Sequence, residues 1–102
     1  MKVKHNLSKN GLYFYFEGEL DEYHSNAIKE KIDTLIENHK PVPSVVFNMR
    51  DLTFMDSTGI GIIIGRYKKL RNLKIPLYIE NPSFSVDKVL TISGIYKVIP
   101  KL

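Results

Sequence analysis

Apolar and polar positions along this chain recur with two different periods, and the order of those periods predicts its elements. Residues 3–9 and 12–17 read as strands, and the Asn10-Gly11 pair between them predicts a tight hairpin because both residues tolerate positive φ. In Leu12-Tyr13-Phe14-Tyr15-Phe16, the leucine and phenylalanines fall on one face and the tyrosines on the other. Gly18-Glu19-Leu20-Asp21 closes the second strand. Asp21 then serves as N-cap or N-terminal charge for a helix whose Ala27, Ile28, Ile32, Leu35 and Ile36 repeat at helical spacing, fraying near Asn38-His39-Lys40.

Pro41-Val42-Pro43 breaks that helix, and Ser44-Val45-Val46-Phe47-Asn48-Met49 is a continuous apolar run of the kind found in a strand buried on both faces. Residues 50–56 are expected to connect it to a helix that starts at Ser57 and buries Ile60, Ile63, Ile64, Tyr67 and Leu70. Asn72 to Lys74 closes this helix. A short strand at Ile75-Pro76-Leu77-Tyr78-Ile79-Glu80, a turn and cap at Asn81-Pro82-Ser83, a helix over Val86, Val89 and Leu90 stopped by Ser93-Gly94, and a final strand at 96–99 complete the chain. The order β-β-α-β-α-β-α-β predicts one α/β domain with a mixed, mostly parallel sheet opened by a hairpin. Functional groups in such sheets gather at the carboxyl ends of strands, so the Asp21, Asp56-Ser57 and Asn81-Ser83 loops are expected at one edge.

The stretch Phe54-Met55-Asp56-Ser57-Thr58-Gly59-Ile60-Gly61-Ile62-Ile63-Ile64-Gly65-Arg66-Tyr67-Lys68-Lys69 joins the buried run to the central helix. Ser57 reads first as an N-cap, whose oxygen accepts from an unpaired backbone N–H. Glycines at 59, 61 and 65 each cost a helix up to ~1 kcal/mol relative to alanine, so each is expected to be kept for close approach. Gly61 and Gly65 share a face and are expected to press on the sheet, while Gly59 leaves the first turn open to a partner or an anion.

Composition narrows the function classes. With 102 residues, 43% hydrophobic and 25% charged, the chain is expected to form a single domain over residues 1–102. It has no cysteine, which excludes a disulfide framework, a thiolate metal site and a thiol nucleophile, and leaves the cytoplasm as the default compartment. Met1-Lys2-Val3-Lys4-His5 holds no apolar leader, and the longest apolar run is far short of the roughly 20 residues a membrane span needs, so neither secretion nor membrane insertion is expected. Fifteen Lys and Arg against 11 Asp and Glu give a net charge of +4. Much of that excess sits at Arg66, Lys68, Lys69, Arg71 and Lys74, where cations complement a helix dipole; no nucleic-acid module accompanies it.

Two enzymatic or ligand-binding readings fit parts of the pattern. Gly59-Ile60-Gly61-Ile62-Ile63-Ile64-Gly65 with Glu80 further on resembles a dinucleotide fingerprint, but the spacing is G-x-G-x-x-x-G and the glycines do not directly follow the apolar run. A serine hydrolase would pair Ser57 with His5, His24 or His39 and with Asp21 or Asp56, yet Met55-Asp56-Ser57-Thr58-Gly59 is not a nucleophile elbow. No histidine pair has ligand spacing on one element, so no metal is expected, and no acidic pair marks a phosphoaccepting aspartate.

Gly18-Glu19-Leu20-Asp21, the run from Val46 to Gly61 containing Asp56-Ser57-Thr58-Gly59-Ile60-Gly61, Gly65-Arg66-Tyr67-Lys68 and Ser93-Gly94-Ile95 together resemble the STAS domains of bacterial anti-sigma factor antagonists, especially the sporulation type. The resemblance implies that Ser57 is phosphorylated by a partner that is both anti-sigma factor and serine kinase. The unmodified protein would bind that kinase and free the sigma factor, acting as a positive regulator of transcription, until a phosphatase of the PP2C type or similar reset it. It implies a partner-binding surface of Asp21, Asp56, Ser57, Thr58, Gly59, Asn81, Ser83, Arg66 and Tyr67, no cofactor, no catalysis, and a monomer when free. The family usually carries a helix after its last strand and often a glycine pair near Lys74 to Pro76; this sequence is expected to lack both. A stressosome-like or scaffold STAS module, and a small nucleotide-binding protein, are the alternative readings.

Overall fold

The computed structural model describes all of residues 1–102. Strands β1 (Lys2–Ser8) and β2 (Gly11–Leu20) form an antiparallel hairpin, helix α1 (Ser25–His39) leads to β3 (Val45–Met55), α2 (Ser57–Asn72) leads to β4 (Leu77–Glu80), and α3 (Phe84–Ser93) follows. Both β2–β3 and β3–β4 are parallel, and the sheet order is β1-β2-β3-β4. Phe14, Phe16 and Phe47 meet edge to face beneath the helices, in a core with Ile32, Ile36, Met49, Ile63 and Leu70. No helix is long and apolar enough to cross a membrane.

Several expectations change. The hairpin turns on Lys9-Asn10, with Gly11 already paired to Ser8. Gly11 is required there because Ser44 lies against it: a Cβ at Gly11 would stand 2.6 Å from the Ser44 carbonyl oxygen. β3 does not end at Met49 but runs on to Met55, so the expected connection over 50–56 is strand. Its polar residues Arg50, Asp51 and Thr53 are exposed while Leu52 and Met55 are buried, and β2 keeps pace through irregularities near Glu17 and Gly18. The expected last strand is a 3-10 turn at Ile95–Lys97 followed by a single parallel bridge between Ile79 and Lys101. Gly94, left-handed with φ 80°, ends α3 and starts that turn, and Pro100 has no N–H to extend a ladder.

Helix faces also shift. In α1 Ile28, Ile32 and Ile36 are buried but Ala27 is exposed. In α2 the buried positions are Gly59, Ile62, Ile63 and Leu70, with Ile60, Ile64 and Tyr67 only partly covered. Gly61 and Gly65 do not pack: a Cβ at either would meet nothing within 4 Å. Gly59 is the close-packed one, since its Cβ would stand 2.4 Å from Met55 Cγ and 3.2 Å from Leu20 Cδ2.

Candidate functional site

Leu20 and Met55 are paired at the ends of β2 and β3, so the residues that follow them, Asp21 and Asp56, leave the sheet side by side. Asp56, in extended conformation, is the N-cap of α2: its carboxylate accepts from the Thr58 N–H at 2.9 Å. Ser57 is therefore the first residue of the helix and not its cap. It is exposed, and its hydroxyl enters none of the chain's side-chain hydrogen bonds. Gly59 fixes this arrangement, because only a residue without a side chain lets the first turn settle onto Met55 and Leu20. The same contact closes the first turn that an open glycine was expected to leave free.

Asp21 caps a 3-10 turn, Glu22–His24, accepting from the His24 backbone N–H at 3.2 Å and lying 2.8 Å from His24 Nδ1. The hydrogen bond from His24 holds the Asp21 carboxyl below its ordinary range. Tyr23 stands beside this pair, 90% exposed, its ring packed edge to face on His24 at 5.0 Å between centroids. An Asp–His couple thus sits on the strand end next to the serine, but no hydrogen bond joins His24 to Ser57, and the geometry of a charge-relay triad is not formed. Free backbone N–H groups of the helix start, two carboxylates already engaged in capping, and an accessible hydroxyl suit acceptance of a phosphoryl group: the helix N-terminus favours the added charge.

The remaining expected site residues are elsewhere. β4 pairs with β3 only as far as Asn48–Glu80, while β3 continues to Met55. All three loops leave the carboxyl ends of parallel strands, but at ~3.3 Å per residue this overhang sets the Asn81–Ser83 turn back by roughly 20 Å along the strand direction from the other two. Ser83 instead caps α3 through the Val86 N–H, and Asn81 takes a left-handed φ of 52°. Arg66 lies in the seam between α1 and α2, its side chain 11% exposed, with Nε 2.9 Å from Asp33 Oδ1. That approach is misdirected for a hydrogen bond, leaving a charge contact with Nε and Nη1 unpaired as donors. Tyr67 lines a groove near the far end of α2. Tyr23 escaped the sequence reading, its only signal being an aromatic set among polar residues after the strand, and His24 was weighed there only as a catalytic base.

Comparison with known proteins bears on the family and the fold. The sequence profile described as the STAS domain matches residues 2–102. An anti-sigma F factor antagonist of Paenibacillus polymyxa is 31% identical over 83 residues, 81% of this chain and 70% of the relative. One from Lysinibacillus sphaericus is 35% identical over 78 residues, 76% of this chain and 66% of the relative. An anti-sigma-B factor antagonist of Bacillus subtilis is 29% identical over 97 residues, covering 95% and 84%. Among solved structures, the anti-sigma factor antagonist SpoIIAA in its unphosphorylated form superposes with a TM-score of 0.82 at 28% identity, covering 99% of this chain and 88% of that one. Its phosphorylated form from Bacillus superposes at 0.73 with 27% identity, covering 99% and 91%.

Proposed function

This chain belongs to the STAS domain family, and from that premise we propose that it is an anti-sigma factor antagonist switched by phosphorylation of Ser57. The observation that carries the reading is the division of roles at the head of α2, where Asp56 satisfies the cap and leaves the Ser57 hydroxyl exposed and unbonded. The partner is an anti-sigma factor that is also a serine kinase, and a phosphatase reverses the modification. The sigma-F antagonists among the relatives and the likeness to SpoIIAA at 28% identity with a TM-score of 0.82 support a sporulation pathway. The protein acts in the cytoplasm, as a monomer when free, and is a substrate and ligand with no catalysis of its own.

In this mechanism the partner closes over Asp21, Asp56, Ser57 and Thr58, with Gly59 setting their depth and exposed Tyr23 as an aromatic anchor. Ser57, Gly61 and Gly65 recur at helical i, i+4 spacing, and the absence of side chains at the two glycines lets a partner approach the α2 backbone. Phosphate adds about −1.5 to −2 charge beside two carboxylates, which the helix N-terminus tolerates in the free protein and a desolvated interface does not. Each ~1.4 kcal/mol of mismatch weakens the complex tenfold.

Intact-mass analysis after incubation with the kinase and ATP is expected to show one phosphate on the parent and none on Ser57→Ala. Titration calorimetry is expected to show Ser57→Ala binding the kinase like the parent, and Tyr23→Ala or the phosphorylated protein binding at least tenfold more weakly, a loss of ~1.4 kcal/mol or more. Equal affinity of phosphorylated and unmodified protein, or labelling at Thr58, overturns the mechanism.

A further inference from the structure

The far end of α2 carries a second feature that the switch does not use. An open groove of about 340 Å³ runs between the end of α2, the start of β4 and the chain near Pro100. Its lining is apolar at buried Ile75 and Leu77 and at half-exposed Val98, with Tyr67 and Tyr78 beside them. Neither phenol is hydrogen-bonded within the chain; of the tyrosines only Tyr96 donates such a bond. Arg71 and Lys74 stand on the rim, exposed, and no carboxylate lines the groove or forms an ion pair with either of them. Lys68, with Arg71 and Asn72, continues the basic surface outward.

Lys74 is out of character for its position. It occupies the residue just past the C-cap of α2, where the Ile75 N–H donates to the Leu70 carbonyl at 2.9 Å and the Lys74 N–H to the Arg71 carbonyl at 3.0 Å. This is the closing motif in which glycine is the ordinary choice, and Lys74 adopts the left-handed φ of 60° that it demands. A non-glycine residue in this conformation puts a cationic side chain at the groove rim where the backbone alone would favour glycine. The Leu70 and Arg71 carbonyls at the helix end are occupied by these hydrogen bonds.

We infer that this groove binds a small ligand with a flat apolar or aromatic body and a single anionic group, such as a carboxylate. The volume lies at the lower end of small-molecule sites. The apolar lining and the two rings take the apolar body by burial and stacking, while Arg71 and Lys74 take the charge. The two cations on the rim match a monoanion, and with no carboxylate in the lining a cationic ligand finds no counter-charge.

The test is a titration of ¹⁵N-labelled protein with 1-naphthoate, with neutral 1-naphthamide and ATP as comparisons. Amide shifts are expected to be confined to residues 67–78 and 97–101, with the amide and ATP each at least about tenfold weaker, equivalent to ~1.4 kcal/mol. Arg71→Gln is expected to weaken naphthoate about fivefold or more by removing one of two charge contacts. Lys74→Gly separates binding from folding: it is expected to keep or raise the melting temperature while weakening naphthoate as much as Arg71→Gln. Shifts scattered over the surface, equal binding of the amide, tighter binding of ATP, or a Lys74→Gly protein that binds like the parent each overturn the inference.

Discussion

Adjacent side chains at the head of α2 do different work: the Asp56 carboxylate is consumed in capping, and the Ser57 hydroxyl is left to the solvent. A carboxylate caps a helix as well as a serine does and adds a favourable charge to the positive end of the dipole, so the sequence Asp-Ser leaves the hydroxyl spare. The three glycines of the same helix divide as sharply. Alanine at Gly59 gains ~1 kcal/mol of helix propensity but drives a Cβ to 2.4 Å from buried Met55, an overpacking that costs ~1 to 3 kcal/mol. Alanine at Gly61 or Gly65 meets nothing within 4 Å and keeps the gain. Urea denaturation is expected to show Gly59→Ala less stable than the parent and Gly61→Ala and Gly65→Ala more stable, by up to ~1 kcal/mol each. A uniform response of the three would contradict the packing described for α2.

At the scale of elements, the length of β3 decides which loops can act together. Its final residues have only β2 beside them, and so the strand end brings Asp56 to Asp21 and leaves the β4 turn behind. The segment after α3 is held by a different device: the Asp87 carboxylate on α3 accepts from the Tyr96 hydroxyl and from Lys101 Nζ at 3.2 Å. The Tyr96 hydrogen bond keeps Asp87 below its ordinary value, and burial, with that bond, pushes Tyr96 up. A depressed carboxyl stabilises the fold above the unfolded value of ~3.9 and loses that contribution as pH falls through its folded value. A raised phenol contributes fully below ~10 and loses its contribution as pH rises beyond that. Melting temperature followed from pH 6 downward is therefore expected to fall less below about pH 4 for Asp87→Asn than for the parent. Parallel curves for the two proteins would show that the latch does not contribute.

Across the whole molecule, α1 and α2 are tied by Arg66 and Asp33, a contact with unpaired donors in a half-closed seam. Asp33 is 28% exposed, so its desolvation is incomplete and the cost of stranding it is moderated. Arg66→Ala is expected to destabilise by ~1 to 3 kcal/mol, while Asp33→Leu with Arg66→Met is expected to be neutral or stabilising. Chemical denaturation of the three proteins checks this, and a harmless Arg66→Ala would return that side chain to the pool of surface residues. The chain's own pattern was enough for the element order as far as α3, the hairpin and the parallel pairing, but not for the segment after α3, because periodicity and local motifs depend on near neighbours. Ile28, Ile32 and Ile36 announce their face, and Asp56-Ser57-Thr58-Gly59 announces a helix start, without any partner in view. What lies between elements was decided only in the folded molecule. β3 extends through Arg50, Asp51 and Thr53 because β2 supplies hydrogen bonds there. Gly59 is buried and Gly61 bare because of where α2 rests on Met55 and Leu20. Arg66 is drawn inward by a carboxylate 33 positions earlier in the chain, and Tyr67 faces a groove completed by residues some thirty positions later. Such contacts join residues distant in sequence, and local periodicity carries no record of them.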